Sequence, residues 1–263
     1  MKTQAITILT ALVLVIASCD DNESASPKPK DRLPLRTEQL GYKKVLAFDG
    51  DQRLSKITTF LTMLDDKVQK LVHEFSYHPD GKFRNCTSQG KLAYEYTYEG
   101  DKITRADEYT DEVLTRFFTY TYDNGGRIHE VTTWQDLPVH GVVPTIKSEY
   151  MLDANDNVVL LTLYYFNASK GEYELISRFE YSEYDNKKGV DQLFHPNAAN
   201  PLARWSRNNP GKMVTINSTG LITMIEEYTY KYDSEGFVTS KTTTTTQVHN
   251  GQSGSYETTF FYK

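Results

Sequence analysis

Cysteine and tryptophan are scarce in this chain, with two of each in 263 residues. Two cysteines exclude a disulfide-stapled scaffold and a cysteine-rich zinc module. No apolar run reaches the roughly 20 residues that a membrane-spanning helix requires, and helical periodicity is nearly absent. Basic residues are outnumbered, 29 against 35 acidic, for a net charge of −6. The basic face of a nucleic-acid binder is therefore missing, and no nucleic-acid partner is expected. The spacings of familiar chemistry are missing too. Histidines 73, 78, 129, 140, 195 and 249 form neither HxH nor HExxH, and no GxSxG, P-loop or GxGxxG is present. No catalytic residue, metal or cofactor is expected, and the chain is read as a non-enzyme. Asp153 to Asn157 opens like a calcium loop, but Val158 and Tyr164 stand where glycine and glutamate are needed. That stretch reads as a hairpin turn.

What the chain does have is aromatic side chains, 19 Tyr and 12 Phe, far too many for a disordered polymer. It also has an address. Lys2 precedes a 12-residue apolar stretch, Ala5 to Ile16, too short to span a bilayer and suited to a signal peptide over residues 1–18. The stretch ends in Ile16-Ala17-Ser18-Cys19, which resembles a bacterial lipobox. The resemblance implies that Cys19 becomes the lipidated first residue, an anchor that several acyl chains make durable. Residues 19–41 then form an acidic, Pro-rich tether. The acidic run after Cys19 resembles the surface-export signal of Bacteroidota lipoproteins. It implies an outer-membrane lipoprotein facing the cell surface; the enterobacterial sorting logic would place it on the periplasmic side instead.

From residue 42 to 263 one pattern recurs: alternating aromatics, a short Asp/Asn/Gly turn, then a new apolar strand. Its anchors are Phe48, Tyr77, Tyr98, Tyr122, Leu152, Tyr184, Tyr232 and Tyr262. Tyr94, Tyr96 and Tyr98 alternate with Glu95 and Thr97, which is the period of a strand with one aromatic face. The unit is a β-hairpin. About fifteen such strands make an all-β domain, an antiparallel meander of repeated β-hairpins curled into an open barrel or two-layer sheet. The run Thr242 to Thr246 lacks an apolar face and suggests an edge strand. Cys86 reads as a buried strand thiol. Two segments leave the pattern: an insert at 190–212, whose Asn200-Pro201 suits a helix start, and a long loop at 135–144.

The motifs resemble the tyrosine–aspartate (YD) repeats of bacterial rearrangement-hotspot (Rhs) proteins and teneurins. The dipeptide itself survives at Tyr122-Asp123, Tyr184-Asp185 and Tyr232-Asp233. The insert, with Tyr184 to Lys188 and Ser206 to Lys212, is similar to that of Bacteroidota lipoproteins carrying such repeats. This resemblance implies an all-β, surface-anchored protein and brings no activity. Seven or so copies are too few for a toxin-enclosing shell.

The expected function is a non-enzymatic binding or scaffold module, held to the membrane through Cys19. The alternative is a glycan-binding accessory lipoprotein of a polysaccharide-uptake system. Trp134, His140 and Trp205 are the candidate ligand-binding residues, because they stand beside the two irregular segments. The Tyr stripe itself is read as core. A glycan or another cell-surface protein is the expected partner.

Overall fold

The computed structural model describes residues 32–63, 66–190 and 206–263. Sixteen antiparallel strands follow one another around a closed barrel. They are β1 Pro34–Gln39, β2 Tyr42–Phe48, β3 Leu54–Thr62, β4 Val68–Tyr77, β5 Phe83–Ser88, β6 Lys91–Glu99, β7 Lys102–Thr110 and β8 Val113–Tyr122. The second half comprises β9 Ile128–Leu137, β10 Gly141–Leu152, β11 Val158–Asn167, β12 Glu172–Ser182, β13 Lys212–Asn217, β14 Ile222–Tyr232, β15 Val238–Gln247 and β16 Gln252–Tyr262. Each strand pairs with its sequence neighbours, and β1 closes the ring on β16, with Thr37 opposite Phe260.

Closure corrects four sequence expectations. The sheet is neither open nor two-layered, because a wall of this many strands removes its edges by meeting itself. The strand Pro34–Gln39, assigned above to the tether, is the staple of that closure. The threonine run is no edge: β15 is paired on both sides, and Thr243 lies buried opposite Tyr228 and Tyr256. The supposed loop at 135–144 is a hairpin, since β9 runs to Leu137 and β10 starts at Gly141. Alternation was hard to see there because Pro138 and Gly141 flank the turn.

Inside, the aromatic stripe is the core. Tyr96, Tyr120, Phe75, Phe83 and Phe260 are buried in one cluster with Leu46, Ile57, Ile103 and Val238. Tyr94, Tyr98, Tyr122, Tyr230 and Tyr232 pack against it. The intervening Glu95, Thr97, Glu99, Glu227, Thr229 and Lys231 are exposed.

The even strands all end at one end of the barrel, called here the near end; both termini of the described chain lie there, where Lys263 N–H meets the Leu33 carbonyl at 2.9 Å. The near-end turns share one construction. The register slips by a bulge at the anchor aromatic, between Ala47 and Phe48, Ser76 and Tyr77, Thr97 and Tyr98, Thr121 and Tyr122, and Lys231 and Tyr232. A bulge sharpens the local twist and re-aims the side chain. The tyrosine hydroxyl then donates to a backbone carbonyl at the start of the preceding odd strand: Tyr77 to Leu54 at 2.7 Å, Tyr98 to Phe83 at 3.0 Å, Tyr122 to Ile103 at 2.8 Å. The next residue, usually aspartate, caps the turn. Asp49 Oδ1 accepts the N–H groups of Asp51 and Arg53, and Asp233 Oδ1 those of Glu235 and Phe237. Asp123 does the same for Arg127 at 2.9 Å. The YD dipeptide is therefore a strand lock followed by an Asx turn.

The third residue after each cap takes a left-handed backbone, which favours glycine. Gly126 and Gly236 fill it at φ 78° and 86°, but Gln52 is forced there at φ 62°. Replacing Gln52 by glycine is expected to raise the unfolding free energy by about 1 kcal/mol, the low end of the cost of a left-handed non-glycine. Urea denaturation checks this, and an unchanged midpoint would show that the turn carries no such strain. The caps also predict acid sensitivity. The Arg53 side chain holds Asp49 below the usual carboxylate range, and the Arg127 backbone N–H does so for Asp123. A lowered folded pKa stabilises above the unfolded value of roughly 3.9 and is lost as pH falls below it. The Asp123→Asn variant should therefore show a shallower stability loss than the parent in denaturation measured below pH 4.

Candidate functional site

Trp134 sits on the outer wall of β9, facing water rather than the core. Its ring lies parallel to that of Phe117 on β8, with 5.8 Å between centroids and 4° between planes. Its Nε1 donates to Thr119 Oγ1 at 2.9 Å. Arg105 of β7 covers the Phe117 ring at 3.7 Å. Two strands further on, Tyr164 and Tyr173 share Lys147, whose Nζ stands 4.7 Å from each ring. Phe166 packs edge-on against Tyr173 at 5.2 Å. The outer wall of β7–β12 thus carries a half-buried aromatic band that sequence reading missed. The signal was present: Phe117-Phe118 and Tyr164-Tyr165-Phe166 are consecutive aromatics, so both faces of those strands must carry rings. Much of the band is already occupied by its own cations, each contact worth about 0.5–1 kcal/mol at such exposure.

His140 is exposed in the β9–β10 turn, on the same hairpin as Trp134. Trp205 and Cys19 lie outside the described residues. The structure joins Trp134 to a hairpin with His140 but builds no shared pocket around them.

The end of the barrel opposite the termini, the far end, has a different character. Its turns carry aliphatic side chains into solvent: Leu40 between β1 and β2, Met63 and Val68 between β3 and β4, and Val113 and Leu114 between β7 and β8. Val139 and Val142 follow at the β9–β10 turn, Leu221 and Ile222 at β13–β14, and Val248 at β15–β16. Leu40 is 96% and Val139 87% exposed. Singly, exposed aliphatics are ordinary; here they recur at six turns of one rim.

At the near end the insert is spliced into a standard turn. Asp185 Oδ1 accepts from Lys187 N–H at 2.9 Å, as any cap does, but its second N–H comes from Asn209 at 3.1 Å. Asn209 takes the place of the residue four after the cap, with the insert between them in sequence. Val190 from that chain is buried in the barrel core, and its N–H donates to Asn209 Oδ1 at 2.8 Å. Asn209 Nδ2 reaches Asp185 Oδ2 and the Lys188 carbonyl, both at 3.1 Å. Tyr232 Oη donates to the same Asp185 carboxylate. The expected helix start at Asn200 lies outside the described residues. Cys86 is fully buried in β5, and burial pushes its thiol pKa up to about 12, which makes it a packing residue rather than a nucleophile. Asp153 caps its turn by accepting the N–H of Asn155 and Asn157, at 2.8 and 2.9 Å, as a hairpin rather than a calcium loop does. No group of metal-ligating side chains gathers among the described residues.

With this geometry in view, comparison with known proteins defines the class. No protein-family model matches the sequence, and no curated protein matches it. Solved structures do. A porin-like protein from Bacteroides uniformis, 12% identical, aligns over 88% of this chain and 98% of its own with a TM-score of 0.63. A porin-like protein from Bacteroides vulgatus aligns over 80% of this chain and 98% of its own, at 15% identity and a TM-score of 0.36. The complex TcdB2-TccC3 aligns over 84% of this chain and 14% of its own, at 12% identity and a TM-score of 0.33. The first of these establishes a shared all-β barrel fold. The chemistry of the present wall is nonetheless inverted relative to a lipid-facing barrel, which turns apolar residues outward and polar ones inward. Here Glu95, Glu99, Arg178, Glu180, Glu227 and Lys231 are exposed between inward aromatics.

Asn209 is 2% exposed and serves five hydrogen-bonding atoms around the insert. Asn209→Ala is expected to cost about 2–3 kcal/mol in unfolding free energy, since buried partners lose their bonds. The exposed bond of Asn208 Nδ2 to the Lys187 carbonyl makes Asn208→Ala a control costing under about 1 kcal/mol. Equal losses in the two variants, measured by urea denaturation, would remove Asn209 from its pivotal place.

Proposed function

We propose that this chain is a lipid-anchored protein of the cell envelope that works as a non-enzymatic binding or scaffold module. Cys19 carries the lipid, and the tether delivers the chain to the near end, where Arg32 pairs with Asp233 at 3.0 Å. The far end then serves as the recognition face, and its partner is another envelope protein. The observation that carries this reading is the aliphatic rim at the end opposite Arg32. Its exposed turn residues are Leu, Ile, Val and Met, with Tyr165 the exposed aromatic nearest to them at the end of β11. Exposed apolar side chains rimmed by polar ones suit a protein partner. Outer-membrane placement facing the surface follows from the acidic run after Cys19; the periplasmic face is the other placement the same anchor permits.

The glycan-binding reading stays second. Trp134 favours it as a ring on the outer wall, but Phe117 beside it is already covered by Arg105. Photo-crosslinking in intact cells separates the two. A crosslinker placed at Val139 or Leu221 should capture a discrete protein, while one at Glu99 or Glu235 near the other end should not. Adducts at the near-end positions alone, or none at any, would refute the rim as a docking face. Glycan-array binding abolished by Trp134→Ala in a folded variant would instead promote the second reading.

A further inference from the structure

Three polar groups on the inner face of β1–β4, Thr37, Lys44 and His73, make no side-chain hydrogen bond or ion pair among the described residues. Thr37 and Lys44 face each other across the β1–β2 ladder. Both point inward: Thr37 also opposes the core residue Phe260, and Lys44 is two residues from the core residue Leu46. His73 opposes Ile57, which opposes Leu46, so its imidazole joins the same face. Thr37 is 1% exposed, and its Oγ1 has no hydrogen-bond partner among the described residues.

Elsewhere inside the barrel, charge is matched. Glu108 pairs with Arg116 at 2.9 Å and accepts from Tyr94 Oη at 2.9 Å. Lys241 stands 4.2 Å above the Tyr228 ring. Lys44 Nζ lies 6.0 Å from the Tyr42 ring but pairs with no carboxylate among the described residues, and burial pulls its pKa down. The pKa of His73 is lowered by burial first and then by the charge of Lys44, which favours the neutral imidazole near the ammonium. A half-buried ammonium without a counter-charge is a costly arrangement to keep. Both side chains remain partly accessible, as expected where sixteen strands enclose more room than one layer of side chains fills.

We propose that Lys44, His73 and Thr37 form an anion site inside the barrel that takes a small oxyanion, a carboxylate or a phosphate. Lys44 Nζ supplies the charge, and the His73 ring and Thr37 hydroxyl donate hydrogen bonds. Tyr42, Leu61 and Leu71 continue the same inner face around Lys44. They offer an apolar wall to the body of an organic anion, which favours a carboxylate on a hydrocarbon chain. The site is separate from the far rim and stands without it.

Isothermal titration calorimetry on the purified protein, with octanoate and inorganic phosphate as separate probes, tests this. Saturable one-site binding of octanoate alone identifies a carboxylate with an apolar body; binding of phosphate alone identifies a bare oxyanion. Either supports the site if Lys44→Met weakens it at least about tenfold and the His73 imidazole resonances shift on binding. Lys231→Met, on the outer wall beside Glu257, should leave affinity unchanged. If Lys44→Met does not fold, His73→Gln gives the same reading with a smaller loss. Absence of binding by both probes at millimolar concentration, or unchanged affinity in a folded Lys44→Met protein, overturns the proposal.

Discussion

An aspartate that accepts two backbone N–H groups sets the geometry of the near end. Near-end turns reverse the chain after the bulged anchor, aromatic except at Leu152, and in four of them the carboxylate of Asp49, Asp123, Asp153 or Asp233 holds the turn shut through local hydrogen bonds. The second oxygen then recruits the residue four positions on: Arg53 at 2.8 Å, Arg127 at 2.7 Å, Asn157 at 3.1 Å. Where Phe237 cannot supply that bond, Arg32 does so from the other end of the described chain, at 3.0 Å from Asp233. The same arginine lies 5.2 Å over the Phe237 ring. One local device thus fixes the turns, seats the insert through Asp185 and docks the incoming chain.

The two ends differ in how widely they use this device. At the far end Asn217 caps the β13–β14 turn by accepting the N–H groups of Thr219 and Leu221, and Asn167 caps β11–β12. Near-end turns spend their polar groups on themselves, and cations lie over the anchor rings, as Arg53 does on Tyr77 at 4.3 Å and Lys102 on Tyr122 at 5.0 Å. The far-end turns at β1–β2, β7–β8 and β9–β10 are short reversals in which no side-chain cap holds the turn, so their exposed residues are under no such demand. That those positions hold aliphatics in so many turns is therefore not explained by folding. It is the asymmetry on which the binding proposal stands.

Much of this architecture was legible. The anchors Phe48, Tyr77, Tyr98, Tyr122, Leu152, Tyr184, Tyr232 and Tyr262 fall at the ends of the eight even strands, because period-2 alternation and turn residues report local geometry directly. Closure was not legible. Pro34–Gln39 pairs with a strand more than two hundred residues away, and no local pattern encodes such a contact. The Thr242 to Thr246 run looked like an edge because threonine fits either face; its burial depends on which tyrosines the register sets opposite. Lys44 stayed hidden for a related reason, since Lys43-Lys44 gives no sign of which lysine points inward. Trp134 was singled out by its neighbourhood, yet the ring stacked on it comes from β8.

The closing seam has a consequence for how the molecule comes into being. Every other neighbouring pair joins strands adjacent in the chain, so hairpins can zip in order as the polypeptide emerges. The seam between β1 and β16 cannot. Until the last eleven-residue strand arrives, the first strand offers an unpaired row of N–H and C=O groups to any passing chain. For a chain that folds from its N-terminus, this means a half-made barrel that must be kept from its neighbours until its last strand is in place.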